Sequence, residues 1–283
     1  MKIVLGGAQF GLDYGLVSKK KIASNEINKI IRIINENNIK FIDTAVSYES
    51  SERVIGDKFN NLKIITKIKL PKKKIENINF WLENEINLSL KRLKTKKIYG
   101  LLVHDYKDLL GNYGIQYLNA LLHLKKIKKV KKIGISIYST RELDKIWKFW
   151  KPEIVQAPFN VFDQRILVSG WLRKLNIYNV EVHARSCFLQ GLLLGNYTKH
   201  EYFKKYKKDI NFFFDWCKLR KISRLKACIH FIRKYSSIKF LIVGFNNYRQ
   251  LVEILVSFKE RKFIIPNKFL SSKINLIDPR KWY

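Results

Sequence analysis

The chain has 283 residues, 47% of them hydrophobic, which is enough for one large core or two smaller domains. It carries 56 Lys and Arg against 23 acidic residues, a net +33, yet no run of about 18 uncharged apolar residues, so a membrane-spanning helix is not expected. Its three cysteines, Cys187, Cys217 and Cys228, are odd in number and lack metal-like spacing, which argues against a disulfide framework or a metal site and predicts a reducing cytoplasm.

The opening MKIVLGGAQFG has one Lys before a short apolar run that breaks at Gly6-Gly7, which reads as a first strand and not as a signal peptide. Similar β-branched runs recur at 40–44, 63–68, 99–103, 132–136, 154–158, 180–184 and 239–243, each apolar enough to be covered on both faces, as parallel strands are. Helical stripes lie between them. Ile27, Ile30, Ile31 and Ile34 follow 3.6-residue spacing in 25–38, Ile78, Leu82, Ile86, Leu90 and Leu93 in 76–93, and Leu251, Ile254, Leu255 and Phe258 in 247–258. The interval 185–238 needs more than one helix or a long loop. Eight alternations without a Pro-, Gly- or Ser-rich linker predict a single domain over 1–283, a (β/α)8 TIM barrel. The competing open, doubly wound sheet lacks its Gly-x-Gly-x-x-Gly signature, because GGAQFG follows the first strand.

The barrel also places the charge. Of the 56 basic residues 13 are Arg and hence 43 are Lys, spread along the chain with abundant Ile and Asn. Lys125, Lys126, Lys128, Lys129, Lys131 and Lys132 fall at the face opposite the one where barrels carry out chemistry, where cations complement a helix C-terminus. With no helix-turn-helix, zinc finger or stacking platform, compositional bias accounts for the charge better than a specific nucleic-acid partner does.

At the C-terminal ends of the strands four reactive groups converge: Asp43, Tyr48 five residues further on, Lys67 and His104. A phenol is a weak acid near neutrality, and a neighbouring ammonium stabilises its phenolate. Lys67 is placed for that role, with Asp43 as its counter-ion, and a Lys inside an apolar strand is costly unless paired. The expectation is a Tyr48 of unusually low pKa that protonates a developing alkoxide, with His104 donating to the same oxygen. Gly6, Gly7 and Gly11 permit either a tight turn or close approach of a cofactor. Asp13 and Tyr14 are candidates for the substrate mouth, and Phe10, Trp171 and Phe188 for its apolar wall. His183 and His230 read as structural, and His123 carries no signal.

At these residues the chain resembles the aldo-keto reductase superfamily, through GGAQFGLDYG (6–15), FIDTAVSYESSERVIG (41–56), ITKIKL (65–70), LLVHD (101–105), GIS (134–136), RSCFLQGLL (185–193) and VGFNNYRQLVEIL (243–255). The resemblance implies a cytoplasmic oxidoreductase that reduces an aldehyde or ketone, a sugar-derived carbonyl among them, with NADPH; NADH is the alternative cofactor. Asp43, Tyr48, Lys67 and His104 become its catalytic tetrad, and Ser136 and Gln156 hold the nicotinamide carboxamide. Further cofactor contacts are implied for Gly7, Gln9 and Asp43, and for the loops after strands seven and eight through Arg185, Ser186, Gly191, Gly244 and Asn246. In the last loop Asn246 or Asn247 is placed to cap a helix, with Gln250 near its third position. Arg249 in the first turn opposes the helix dipole unless a phosphate also sits there. Arg249 is therefore expected at the adenosine 2′-phosphate and Gln250 at adenine. The sequence departs from the family at Ile137, where many members have Asn, and at Arg185, where many carry an aromatic residue that stacks on nicotinamide; a guanidinium there either stacks in its place or meets an acidic substrate. It also begins directly at the first strand, without the hairpin that often plugs the barrel. A second reading is a non-catalytic, cofactor-binding barrel that serves as a sensor or accessory subunit.

Overall fold

Eight apolar runs form β1 (Lys2–Gly6), β2 (Phe41–Asp43), β3 (Lys63–Ile68), β4 (Ile98–Val103), β5 (Val130–Ser136), β6 (Ile154–Pro158), β7 (Glu181–Arg185) and β8 (Ile238–Val243). They are seen in a computed structural model that describes residues 1–16, 20–195 and 200–282. Each strand pairs in parallel with its sequence neighbour, and β8 returns to β1 with Lys2 opposite Phe240 and Leu5 opposite Val243. The sheet is therefore closed, and the open-sheet alternative is excluded.

The helices are α1 (Ser24–Glu36), α2 (Ser51–Lys58), α3 (Ile78–Arg92), α4 (Gly114–Lys126), α5 (Thr140–Ile146), α6 (Arg165–Val168), α7 (Trp171–Ile177), α8 (Lys207–Leu219), α9 (Arg224–Arg233), α10 (Tyr248–Lys259) and α11 (Ile274–Ile277). The expected stripes face the barrel. Ile27, Ile30 and Ile34 of α1, Ile78, Leu82 and Ile86 of α3, and Leu251, Ile254 and Leu255 of α10 are buried, each contributing roughly 1.5–3 kcal/mol. Helices α8 and α9 account for the long interval between β7 and β8. No helix among the described residues is long and apolar enough to cross a membrane.

Inside the barrel Val4, Phe41, Ile65, Leu102, Ile154, Phe240 and Ile242 form a separate core. Ile154 fills the space left by two glycines: a Cβ on Gly134 would lie 2.4 Å from the Ile154 carbonyl oxygen, and one on Gly100 2.7 Å from its Cδ1. Because strand side chains alternate faces, Lys67 points to the same interior as Ile65, and Asp43 to the same interior as Phe41. At the N-terminal end, buried Glu181 accepts from Tyr99 Oη (3.0 Å), Lys132 Nζ (2.6 Å) and Lys239 Nζ (2.5 Å). In the lysine cluster nearby, Lys125 pairs with Glu153 and Lys129 with Glu83. Polar pairing thus satisfies the charge buried at that end.

Candidate active site

The loop after β2 is pinned by backbone hydrogen bonds. Thr44 N donates to Ile65 O (2.8 Å), Val46 N to Lys67 O (2.9 Å), and Ser51 N to Tyr48 O (2.9 Å). Ser51 Oγ donates to Gly7 O at 2.7 Å, which ties this loop to the one after β1. Gly11 lies against the same turn, where a Cβ would fall 2.1 Å from the Tyr48 carbonyl oxygen. A Cβ on Gly7 would come within 2.7 Å of the Asp43 carbonyl oxygen. Close approach of backbone to backbone explains both glycines, and Gly7 also lines the cleft.

Asp43, Tyr48 and His104 share the wall of one cleft of about 570 Å³ at the C-terminal end of the barrel. Lys67 is 1% exposed, and its Nζ donates to Asp43 Oδ2 (2.6 Å) and to Thr44 O (2.7 Å). The same nitrogen lies 5.2 Å from the centroid of the Tyr48 ring. The Tyr48 and His104 rings meet edge to face at 6.0 Å. The four groups predicted to converge are therefore together.

Their electrostatics differ from the expectation in one respect. Burial, and then the negative charge of Asp43, push the Tyr48 hydroxyl above its ordinary pKa, while Arg185 opposes the rise. The acidic phenol foreseen from Lys67 is not present: the amine spends its hydrogen bonds on Asp43 and Thr44, and desolvation dominates. Lys67 is itself pushed down by burial, with Asp43 opposing. His104 is lowered to about 3, first by burial and then by the charge of Lys67, so its imidazole is neutral at physiological pH.

Gln156 joins this network. Its Nε2 donates to Asp43 Oδ1 at 2.7 Å, and its Oε1 accepts from Ser136 Oγ at 3.4 Å. Gln156 lines the cleft, whereas Ser136 is buried and does not reach its wall. Gln9, Arg185, Ser186, Gly191 and Gly244 also line the cleft. At the far end Asn247 caps α10, its side chain accepting from Gln250 N (3.0 Å), while Gln250 Oε1 accepts from Asn246 N (2.8 Å). Asn247 rather than Asn246 is thus the cap. Asn246 and Gln250 face the cleft, but Arg249 does not reach its wall: it is exposed, and its Nε donates to Tyr248 Oη at 3.3 Å.

Of the suggested substrate-mouth residues, Tyr14 and Phe188 line the cleft. Asp13 instead accepts from Lys21 N, Phe10 packs on Phe59 and Phe245, and Trp171 stacks edge-on against Trp147. His183 is buried in the barrel against Phe240, and His230 bonds Ser257 O and Phe263 N; neither lines the cleft. The sequence reading missed Tyr138, Arg224 and Glu253, which line the cleft. Tyr138 stands two residues past the end of β5, and Glu253 one turn beyond Gln250, so rim position and helical spacing carried a signal for both. Arg224 opens a helix within the long interval, and nothing in its local sequence marked it.

The cleft can hold an extended, partly anionic ligand. It runs from Asp43 and Tyr48 to the N-terminus of α10, with the capped start of α9 (Ser223, Arg224) along its side. Asn246 Oδ1 is buried there without a hydrogen-bond partner, a vacancy that a donor such as an adenine amino group would satisfy. Among the described residues no cluster of His, Cys, Asp or Glu is arranged to hold a metal ion.

The sequence model of the aldo/keto reductase family matches residues 2–264. A search of curated proteins finds no match. Among solved structures, a glycerol dehydrogenase from Gluconobacter oxydans superposes with a TM-score of 0.70 at 19% identity, covering 94% of this chain and 88% of that one. An aldo-keto reductase from Bacillus halodurans, solved in its holo form, does so with a TM-score of 0.70 at 16% identity, covering 93% and 88%.

Proposed function

This chain belongs to the aldo/keto reductase family, and from that premise we propose that it is a carbonyl reductase that draws hydride from NADPH, with Tyr48 as proton donor. The observation that carries the reading is the buried Lys67–Asp43 pair against the ring of Tyr48, beside a cleft of about 570 Å³ lined from Tyr48 to Gln250 of α10. A barrel that only bound a cofactor would gain little from an ion pair desolvated at that point, because an apolar pair in place of both ions would be about as stable.

The bound dihydronicotinamide supplies the hydride, which no side chain can. The chain's own residues do the rest. Burial keeps the Tyr48 hydroxyl protonated, so the donor is loaded across the physiological range. A carbonyl oxygen seated between Tyr48 and His104 meets two donors, because the neutral imidazole retains one ring proton. As negative charge develops on that oxygen, the Tyr48 proton moves to it and leaves a phenolate. Lys67 and Arg185 are the cations that stabilise this phenolate, which offsets the burial that made the phenol weak. Asp43 keeps Lys67 in place, and Gln156 keeps Asp43 in place. Gln9, Ser186, Gly191, Gly244 and Asn246 are assigned to the cofactor, with Gln250 at adenine and Arg249, which stands outside the cleft wall, turning from Tyr248 to a 2′-phosphate at the rim. Gln156 is free to meet the carboxamide only through the edge its two present partners leave open, and Ser136 acts through Gln156. The substrate is a small carbonyl compound, and the whole of 1–283 is one catalytic domain.

The test is to follow dihydronicotinamide absorbance with a panel of simple aldehydes, keto-sugars and pyridoxal, comparing the chain with Tyr48→Phe. Loss of one hydroxyl should lower kcat by about 10²–10⁴ with cofactor affinity kept. Equal turnover by the two proteins, or none by either with any carbonyl and either cofactor, overturns the proposal.

A further inference from the structure

At the catalytic end of the cleft one cation, Arg185, has no ion-pair partner among the described residues. Asp43 is committed to Lys67 and Gln156. Glu142, a carboxylate close enough to feel the charge of Arg185, accepts from Tyr138 N at 2.9 Å. Neither makes an ion pair with Arg185, and no carboxylate of the described residues lies within 4.0 Å of its guanidinium. Arg185 is nonetheless half-buried, lines the cleft, and sits close enough to Tyr48, His104 and Tyr14 for its charge to act on all three. A half-buried cation without a counter-ion is costly in a protein that has room to expose it.

This cation is also held in place. Its Nη2 donates to Ile137 O (2.8 Å) and its Nη1 to Ser186 Oγ (3.1 Å). Its guanidinium carbon stands 4.1 Å from the centroid of the Tyr138 ring, and that of Arg280 stands 3.7 Å from the same centroid. Two guanidinium groups so close to one ring must occupy opposite faces. Arg280 is fixed in turn by Asp278, through Nε–Oδ1 (2.9 Å) and Nη2–Oδ2 (2.6 Å). Two of the five N–H groups of Arg185 are spent on the protein, which leaves three to offer. A planar fork with spare donors matches a carboxylate.

We propose that the substrate of this site carries a carboxylate beside its reducible carbonyl, and that Arg185 binds that carboxylate while Tyr138 and Arg280 hold the guanidinium in position. This rests on the reductase reading above and narrows its substrate class from carbonyl compounds to oxo-acids. Bound in this way, the carboxylate supplies the ion-pair partner that Arg185 lacks and aims the carbonyl at Tyr48.

The experiment compares matched pairs: the carboxybenzaldehyde isomers against benzaldehyde, and succinate semialdehyde against butanal. For the unaltered chain, kcat/KM should favour the better carboxylated partner roughly ten- to hundredfold, as a charge-assisted hydrogen-bonded pair would give. Arg185→Gln should bring that ratio to about one, on top of a kcat loss common to both members of each pair because the Tyr48 phenolate loses one of its two cations, and Arg185→Lys should retain part of the ratio. Arg280→Gln, away from the reacting atoms, should weaken the preference in the same direction. NADPH affinity, read from protein fluorescence, separates the cofactor from the substrate. If neutral aldehydes are reduced as well as their carboxylated partners by the unaltered chain, the proposal fails and the reductase reading stands. If Arg185→Gln lowers both members of each pair equally while NADPH affinity falls in step, the guanidinium serves the cofactor and the proposal fails. If no carbonyl compound is turned over, the reductase reading itself fails.

Discussion

Replacing Lys67 by Met keeps the length of the side chain and removes its charge. In the structure, Nζ lies 2.6 Å from Asp43 Oδ2, with the two residues 1% and 5% exposed. At an effective dielectric constant near 20, the attraction across that distance is about 6 kcal/mol, most of it cancelled by the cost of desolvating both ions. Losing one partner alone leaves a buried carboxylate, which typically costs about 3–5 kcal/mol. Asp43 still accepts from Gln156 and can take up a proton, so the lower value, about 3 kcal/mol, is expected. The double variant Asp43→Asn with Lys67→Met removes both charges and should return to within about 1.5 kcal/mol of the parent. Urea denaturation of the parent, both single variants and the double variant gives the coupling directly. Activity should not recover with stability: both Lys67 variants should lose about 10²–10⁴ in kcat/KM, because the Tyr48 phenolate loses one of its two neighbouring cations. A Lys67→Met protein within about 1 kcal/mol of the parent, or a double variant no more stable than the single, would refute the reasoning.

Three further outcomes are expected. His104 is lowered to about 3 by burial and by Lys67, and the raised Tyr48 stays protonated as pH climbs, so kcat/KM for reduction should be flat from about pH 5 to 9. An inflection near the ordinary histidine value that disappears in His104→Gln would contradict this. Burial raises the Glu181 pKa, but hydrogen bonds from His183, Lys132 and Lys239 outweigh it and hold the group below its unfolded value. It therefore stabilises the fold above about pH 4.3 and loses this effect as pH falls toward the folded value. Glu181→Gln should cost about 1–3 kcal/mol in urea at neutral pH, moderated because Lys132 and Lys239 reach water, and the difference should shrink below about pH 4. Arg249→Ala should raise KM for NADPH roughly tenfold and leave KM for NADH unchanged; an unaltered preference in steady-state kinetics removes Arg249 from the 2′-phosphate.

The barrel was legible because its strands are covered on both faces, so each appears as an unbroken apolar run. The second was read as 40–44 and is Phe41–Asp43, and the eighth as 239–243 and is Ile238–Val243. The site was legible where a polar residue interrupts such a run, as Lys67 does inside β3. What escaped depended on distance in three dimensions. That Lys67 would spend its hydrogen bonds on Asp43 and Thr44 and leave Tyr48 a weaker acid follows from burial, which the spacing of the residues does not encode. Ser136 sits one hydrogen bond away from the cleft wall because Gln156, twenty residues on, occupies the space between. Arg280, near the end of the chain, meets Tyr138 only through tertiary packing, and no local pattern links the two.

The contact between Gly11 and the turn that carries Tyr48 has a consequence for how the protein tolerates change. Main-chain atoms set the height of the phenol above the barrel floor, and main-chain atoms are the same whatever amino acids surround them. A coat of lysines can therefore be rewritten at will without moving the proton donor, whereas a single methyl group at residue 11 has to displace it.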